Sequence, residues 1–225
     1  MIVQIYGFTT PADVEACRDL CIDHMGVVLD EGLGAWDQVD ADTATAVMAA
    51  IPAGTKRVGL SLGTDYDRIV RTAEMLEPDV LHVVRAVGNL SGADLARVRD
   101  RLGGVEIMTT IAVRDASAVD DAVSYAPCSD FLLLDSCDPA TGVVGATGRT
   151  HDWATSARIP PLVDVPVVLA GGLGPDNVAA AIAAVGPAGV DSETRTSRSD
   201  DRRRKDIAAL RRFVETVRAL ERSAP

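Results

Sequence analysis

Lysine is almost missing from this chain. Two residues, Lys56 and Lys205, stand against 20 arginines, and 25 aspartates with 8 glutamates bring the formal net charge to −11. A surface so negative repels nucleic acid and anionic lipid, which excludes both as general partners unless a local basic patch overrides the field. Abundant aspartate with so little lysine is also the composition expected of a protein from a high-salt habitat, a biased genome being the alternative source. Cysteine is scarce too: the four, at positions 17, 21, 128 and 137, are too few and too unevenly spaced for a disulfide framework. Aromatic residues amount to 4% while apolar residues reach 47%. The core must therefore be built from Val, Leu, Ile and Ala, as buried parallel strands and their covering helices require. No run approaches the roughly 20 apolar residues of a membrane span, and the opening MIVQIYGF lacks the basic lead and long apolar stretch of a signal segment. The expectation is a soluble, cytoplasmic protein with no membrane partner.

What is present is alternation. Short β-rich runs recur at 2–6 (IVQIY), 26–29 (GVVL), 57–62 (RVGLSL), 80–84 (VLHVV), 105–109 (VEIMT), 130–135 (DFLLLD), 165–170 (VPVVLA) and 188–190 (AGV). Amphipathic or Ala-rich stretches such as PADVEACRDLCIDH, DYDRIVRTAEML and PDNVAAAIAAV lie between them, and DIAALRRFVETVRALE closes the chain at 206–221. Eight strand–helix units in 225 residues predict an α/β fold, a TIM (β/α)8 barrel forming one domain over residues 1–225. A doubly wound open sheet is the competing arrangement. Thr10-Pro11-Ala12-Asp13 predicts the start of the first helix, with a hydroxyl cap, Pro at the first helical position and a carboxylate in the first turn. Gly174-Pro175-Asp176 repeats the pattern for the seventh. Two long loops, 136–150 and 191–205, break the economy of the rest and are candidates for function.

In such a barrel functional side chains project from the C-terminal strand ends, which selects Tyr6, Asp30, Ser61, His82 or Arg85, Thr109, Asp135, Gly171-Gly172 and Asp191. Gly171 and Gly172 join an apolar strand to a helix start, so their amides can approach an anion, and Gly145, Thr147 and Gly148 in the long loop offer a second set. Together they point to a phosphorylated ligand; the plainer reading is tight strand-to-helix packing. Asp135 closes the run FLLLD, where burial raises a carboxyl pKa and suits a general acid; a helix cap or an arginine partner is the alternative. His82, third residue of VLHVV, is a candidate base if it faces the barrel and otherwise a core histidine. Cys17, Cys21 and His24 are spaced as one helical face, but a fourth ligand is missing, and the spacing is read as buried small residues with no metal. The run Arg202-Arg203-Arg204-Lys205 is read as solvated surface, with a phosphate or acidic-partner site as the alternative.

The combination LLLDS, GATG before HDW at 151–153, VLAGGLGPDNVAAAI at 168–182 and GVD at 189–191, with IVQIYGFTTPADVEAC at the start and LH at 81–82, resembles the phosphoribosylanthranilate isomerase family across essentially the whole chain. The resemblance implies a TIM barrel without cofactor that carries out an Amadori rearrangement of a small phosphorylated substrate in tryptophan biosynthesis, as a monomer or homodimer. It implies Asp135 as general acid toward the furanose ring oxygen; Gly145, Thr147, Gly148, Gly171, Gly172 and Ser192 are expected to hold the phosphate, with Asp191 at the substrate and Arg195 or Arg198 placed to compensate the acid at position 193. The family's proton-abstracting cysteine at the end of the first strand is Tyr6 here, so Tyr6 or His82 is expected as base or relay. A phenol titrates near 10 and a thiol near 8.5, so Tyr6 needs a neighbouring cation to serve. Two further departures stand out. The loop DEGLGAWDQVD has Trp36 and four acids where the family has a carboxylate-binding arginine, and Glu193 stands where the family's phosphate turn is Ser-Ser-Gly. They leave open a paralogue acting as isomerase, epimerase or lyase on another phosphosugar, or a noncatalytic phosphate-ligand binder.

Overall fold

The β1 strand (Ile2–Ile5) lies between β2 (His24–Val28) and β8 (Gly189–Ser192), and the last of these contacts, Ile2–Gly189 through Ile5–Ser192, closes the sheet on itself. This is a computed structural model; it describes the chain except for residues 30, 31, 33, 85, 86, 138–143, 146, 147, 149, 224 and 225. Between β2 and β8 run β3 (Lys56–Ser61), β4 (Val80–Val83), β5 (Glu106–Val113), β6 (Phe131–Ser136) and β7 (Val167–Leu169), all parallel and paired in chain order. The helices are α1 (Pro11–Ala16), α2 (Ala41–Ala50), α3 (Tyr66–Leu76), α4 (Gly92–Leu102), α5 (Ala118–Tyr125), α6 (Trp153–Ser156), α7 (Val178–Val185) and α8 (Ile207–Ser223). The fold is therefore the predicted (β/α)8 barrel, and the β1–β8 pairing rules out the open sheet.

Local chemistry explains the placement. In α3, Asp65 accepts from the Arg68 amide at 3.0 Å, and Ile69, Val70, Ala73 and Leu76 turn one face inward. Removing such a cap costs about 1 kcal/mol. In α4, Ser91 and Asp94 cap each other reciprocally, and Gly103 ends the helix in the left-handed region at φ 45°. Helix α8 packs on the barrel through Leu210, Phe213, Val214 and Val217 on its inner stripe. Among the described residues no helix is long and apolar enough to cross a membrane.

Two expectations about helices are corrected. Thr10 does cap α1, accepting from Asp13, but the helix stops at Ala16, and His24 belongs to β2, where its Nδ1 lies 2.9 Å from Gln4 Oε1. Pairing of His24 with Gln4 in the sheet draws this segment out of the helix, so Cys17, buried, and Cys21, exposed, share no helical face with His24. Helix α7 starts at Val178 rather than at Pro175, because Asn177 is engaged in bracing the preceding glycine turn.

The N-terminal end of the barrel is a ring of ion pairs: Arg57–Asp79 at 2.9 Å, Arg99–Asp130 at 2.8 Å, Lys56–Glu106 and Arg218–Asp23. The Arg57 guanidinium hydrogen-bonded to Asp79 holds its carboxyl below the usual carboxylate range. Each pair is partly open to water, so each is worth at most about 1 kcal/mol.

Candidate active site

The opposite, C-terminal end is built differently. A cavity opens there over β6, β7 and β8, and Asp135, Gly148, Gly171, Gly172, Asp191 and Ser192 from the sequence reading line it, joined by Leu173, Glu193 and Thr194. Gly145 stands directly behind Asp135, and Arg195 lies at the rim. Thr147, Asp30 and Arg85 lie outside the described residues.

Asp135 is the fifth residue of β6, delivered to the strand end by a run of buried Phe131, Leu132, Leu133 and Leu134. Its Oδ1 accepts from the Ser136 amide at 2.7 Å. Its Oδ2 faces Gly145, where an added Cβ would come to 2.8 Å. Burial pushes the Asp135 carboxyl up to about 6, against the opposing Ser136 hydrogen bonds. Asp191 projects from β8 in register with Gln4 and is 8% exposed. Burial first, then the charge of Asp135, pushes it up to about 8, while Gln4 and Lys205 pull the other way. Its Oδ1 is buried and has no hydrogen-bond partner among the described residues.

The glycines are required by conformation. Gly171 and Gly172 have φ 80° and 59°, and an added Cβ at Gly171 would stand 2.8 Å from His151 Nδ1 and 3.1 Å from the Ser136 amide. Only glycine takes consecutive left-handed positions at so little cost. Asn177 holds the turn from both sides, accepting from the Gly174 amide at 2.8 Å and donating to the Gly172 carbonyl at 3.1 Å. Gly145 and Gly148 also have positive φ, 77° and 66°. The Ser192 hydroxyl donates to the Leu173 carbonyl at 2.7 Å, so it ties the turn after β7 to β8 instead of pointing at a ligand. Arg195 packs beside Gly174 and reaches the Gly148 carbonyl at 3.5 Å, linking the two glycine segments.

Tyr6 and His82 are brought together, but below the cavity. The phenol oxygen lies 2.7 Å from His82 Nδ1, and His82 Nε2 lies 2.6 Å from Thr110 Oγ1. The Tyr6 ring fills the barrel interior with Val58, Met108, Leu133 and Val168, lying so close over Gly26 that a Cβ there would come to 2.2 Å of it. Burial, reinforced by Asp191, Glu193 and Asp37, drives the phenol well above its ordinary value, and burial takes His82 down to about 3. Both are therefore neutral at physiological pH and joined by that hydrogen bond. The neighbours of Tyr6 that act on it are carboxylates, not the cation its use as a base demands.

The basic run near the C-terminus proves structural. Arg204 makes a two-pronged ion pair with Asp13 at 2.9 and 3.0 Å. Arg203 donates to the Trp36 and Gln38 carbonyls, and the Arg202 guanidinium lies 4.7 Å from the Trp36 ring centre. The acidic loop after β2 thus receives from the far end of the chain the cations it lacks itself. Lys205 is 3% exposed and is drawn into a buried group with Glu193, Asp37 and Asp191. Burial and the adjacent Asp37, which hydrogen-bonds it, raise the Glu193 carboxyl well above its usual range. The raised pKa and the adjoining Lys205 both lessen the repulsion toward phosphate that a bare Glu193 carboxylate implies. Asp37, Asn177, Gly26 and the burial of Lys205 carry no sequence signal of their own; their partners lie from three to well over a hundred residues away.

Three comparisons bear on this site. Residues 3–215 match the family model described as N-(5'phosphoribosyl)anthranilate (PRA) isomerase. A relative of that name from Haloarcula marismortui is 32% identical over 96% of this chain and 95% of its own, and one from Halobacterium salinarum is 34% identical over 96% and 95%. The solved phosphoribosyl anthranilate isomerase of Thermus thermophilus superposes with a TM-score of 0.81 at 20% identity, covering 98% of this chain and 100% of that one, which shows a common fold.

Proposed function

This chain belongs to the N-(5'-phosphoribosyl)anthranilate isomerase family, and we propose that the cavity over β6, β7 and β8 carries out that isomerisation, the Amadori rearrangement of an N-phosphoribosyl amine to its 1-deoxyribulose amine. One observation carries the reading: a carboxyl with a raised pKa, Asp135, opens on the same cavity as the left-handed Gly171–Gly172 turn. The turn, with Gly148 and the amides around Ser192, receives the phosphate. Backbone groups presented without Cβ atoms let an anion approach closely, and Lys205 beside Glu193 offsets that carboxyl's charge. Arg195 and Gly145 hold the loop that borders Asp135. Anchored by its phosphate, the sugar presents its ring oxygen to an acid that stays partly protonated near neutrality, and a positioned acid of this kind contributes roughly 10²- to 10⁴-fold in rate.

The cytoplasmic, high-salt setting read from the net charge of −11 is part of the same proposal, as is a monomeric or homodimeric enzyme. Incubating the purified protein with phosphoribosylanthranilate and following product formation tests the reading directly. Turnover at an enzymatic rate is expected, together with rescue of a tryptophan auxotroph lacking the isomerase. Failure of both overturns it and favours another phosphorylated pentose derivative.

A further inference from the structure

The isomerisation needs two proton transfers, one to the ring oxygen and one from C2, and the end of β1 offers no group for either. Tyr6 is turned into the barrel interior, its hydroxyl committed to His82 at 2.7 Å and its ring pressed on Gly26, and it does not line the cavity. Two carboxyl groups do. Asp135 reaches it from β6 and Asp191 from β8, and Asp191 brings a buried oxygen with no partner among the described residues. Such an unpaired atom is costly unless a proton or a ligand meets it. The groups acting on Asp191 come from every side: Asp135 on β6, Gln4 on β1 and Lys205 ahead of α8, while Asp191 in turn acts on Tyr6 and on Glu193. Two carboxyls on one cavity, Asp191 buried and Asp135 half-buried, that repel each other retain one proton between them where isolated ones would have none.

Resting on the isomerase reading, we propose that Asp135 and Asp191 perform both proton transfers with that one shared proton, and that Tyr6 performs neither. The pair first gives its proton to the ring oxygen as the C1–O bond breaks, and the amine nitrogen's lone pair forms the C1=N iminium. The pair is then doubly ionised beside a cation. One of the carboxylates takes the C2 proton, and the electrons of the C2–H bond form C1=C2 while those of C1=N return to nitrogen. The pair again holds one proton. The enol-amine becomes the ketone by taking a proton at C1 and releasing one from the C2 hydroxyl, a net exchange of zero with water. No other reactant is required, and the doubly ionised state is most stabilised when the substrate is cationic.

The experiment measures kcat, its pH profile and the isotope effect of C2-deuterated phosphoribosylanthranilate in Asp191→Asn and Tyr6→Phe, with binding of the reduced product analogue as the check on folding. Asp191→Asn is expected to lose at least a hundredfold in kcat, to keep affinity for the analogue and to shift the pH profile. Tyr6→Phe is expected to keep kcat within tenfold, with the profile and isotope effect of the parent. The proposal is overturned if Asp191→Asn keeps its kcat, or if Tyr6→Phe loses a hundredfold while still binding the analogue. Absence of turnover in the parent protein overturns the isomerase reading itself, a result separate from either of those.

Discussion

The two ends of this barrel hold the same kind of side chain in opposite states. At the N-terminal end, Asp79, Asp130, Glu106 and Asp23 each meet an arginine or lysine and remain open to water. At the C-terminal end, Asp191 is buried and Asp135 half-buried on the same cavity, and desolvation raises both. The first arrangement lowers free energy slightly and does no chemistry. The second raises the free energy of the ionised protein, and that cost supports the proton-transfer role proposed for this pair. What separates the two ends is whether a cation is within reach. Lys205, the buried cation nearest the site, is drawn toward Glu193 and Asp37 as well as Asp191, and leaves the two cavity aspartates short of charge.

The comparison breaks most sharply on activity. Asp135→Asn should lower kcat by roughly 10²- to 10⁴-fold, while Asp79→Asn at the other end should leave kcat unchanged; steady-state assays of both variants decide it.

A smaller but still large effect is expected on pH dependence. The folded state holds Asp191 and Asp135 protonated up to about 8 and about 6, whereas the unfolded chain releases these protons near 3.8. The folded protein therefore binds more protons over this interval, and the contribution, fully present below the unfolded value, is lost as pH rises through 6 and 8. Asp79 has the opposite sign: its folded pKa is depressed, so its contribution is present above the unfolded value and lost as pH falls. Urea unfolding across pH should show Asp191→Asn more stable than the parent near pH 8 by on the order of a few kcal/mol, and close to it near pH 4. Asp79→Asn should cost at most about 1 kcal/mol, and only toward neutral pH.

The smallest effect sharpens the contrast in backbone. Gly171→Ala meets both a left-handed φ and the His151 ring, whereas Gly104→Ala at φ 96° has nothing within 4 Å of its Cβ. Gly104→Ala should cost about 1 to 2 kcal/mol from backbone strain alone, and Gly171→Ala more than that together with a raised KM. Thermal unfolding and substrate saturation curves distinguish them.

The barrel was legible because β-strand and helix periodicity are local properties, and eight repeats of them leave few topologies open. Asp135 and the Gly171–Gly172 turn were legible for a related reason: a carboxylate after four apolar residues and a glycine pair before a helix are anomalies within their own segments. Tyr6 was legible as an anomaly but not in its orientation. Its direction depends on Gly26, twenty residues on, which makes room for the ring, and on His82, which hydrogen-bonds the hydroxyl. The run Arg202-Arg203-Arg204-Lys205 reads as solvated charge within its segment, yet its partners are Asp13 in α1 and Trp36 and Gln38 in the loop after β2.

By itself, then, the chain of residues determined the eight-fold repeat and the parallel sheet, and pointed to the barrel end proposed as the site, since hydrophobic period and turn composition act over a few residues. Tertiary structure alone decided which polar groups share a cavity and which are neutral within it. Desolvation and Coulomb interactions depend on what surrounds a group in space, and closing β8 onto β1 sets Asp191 beside Gln4 while placing Tyr6 beneath the site instead of in it.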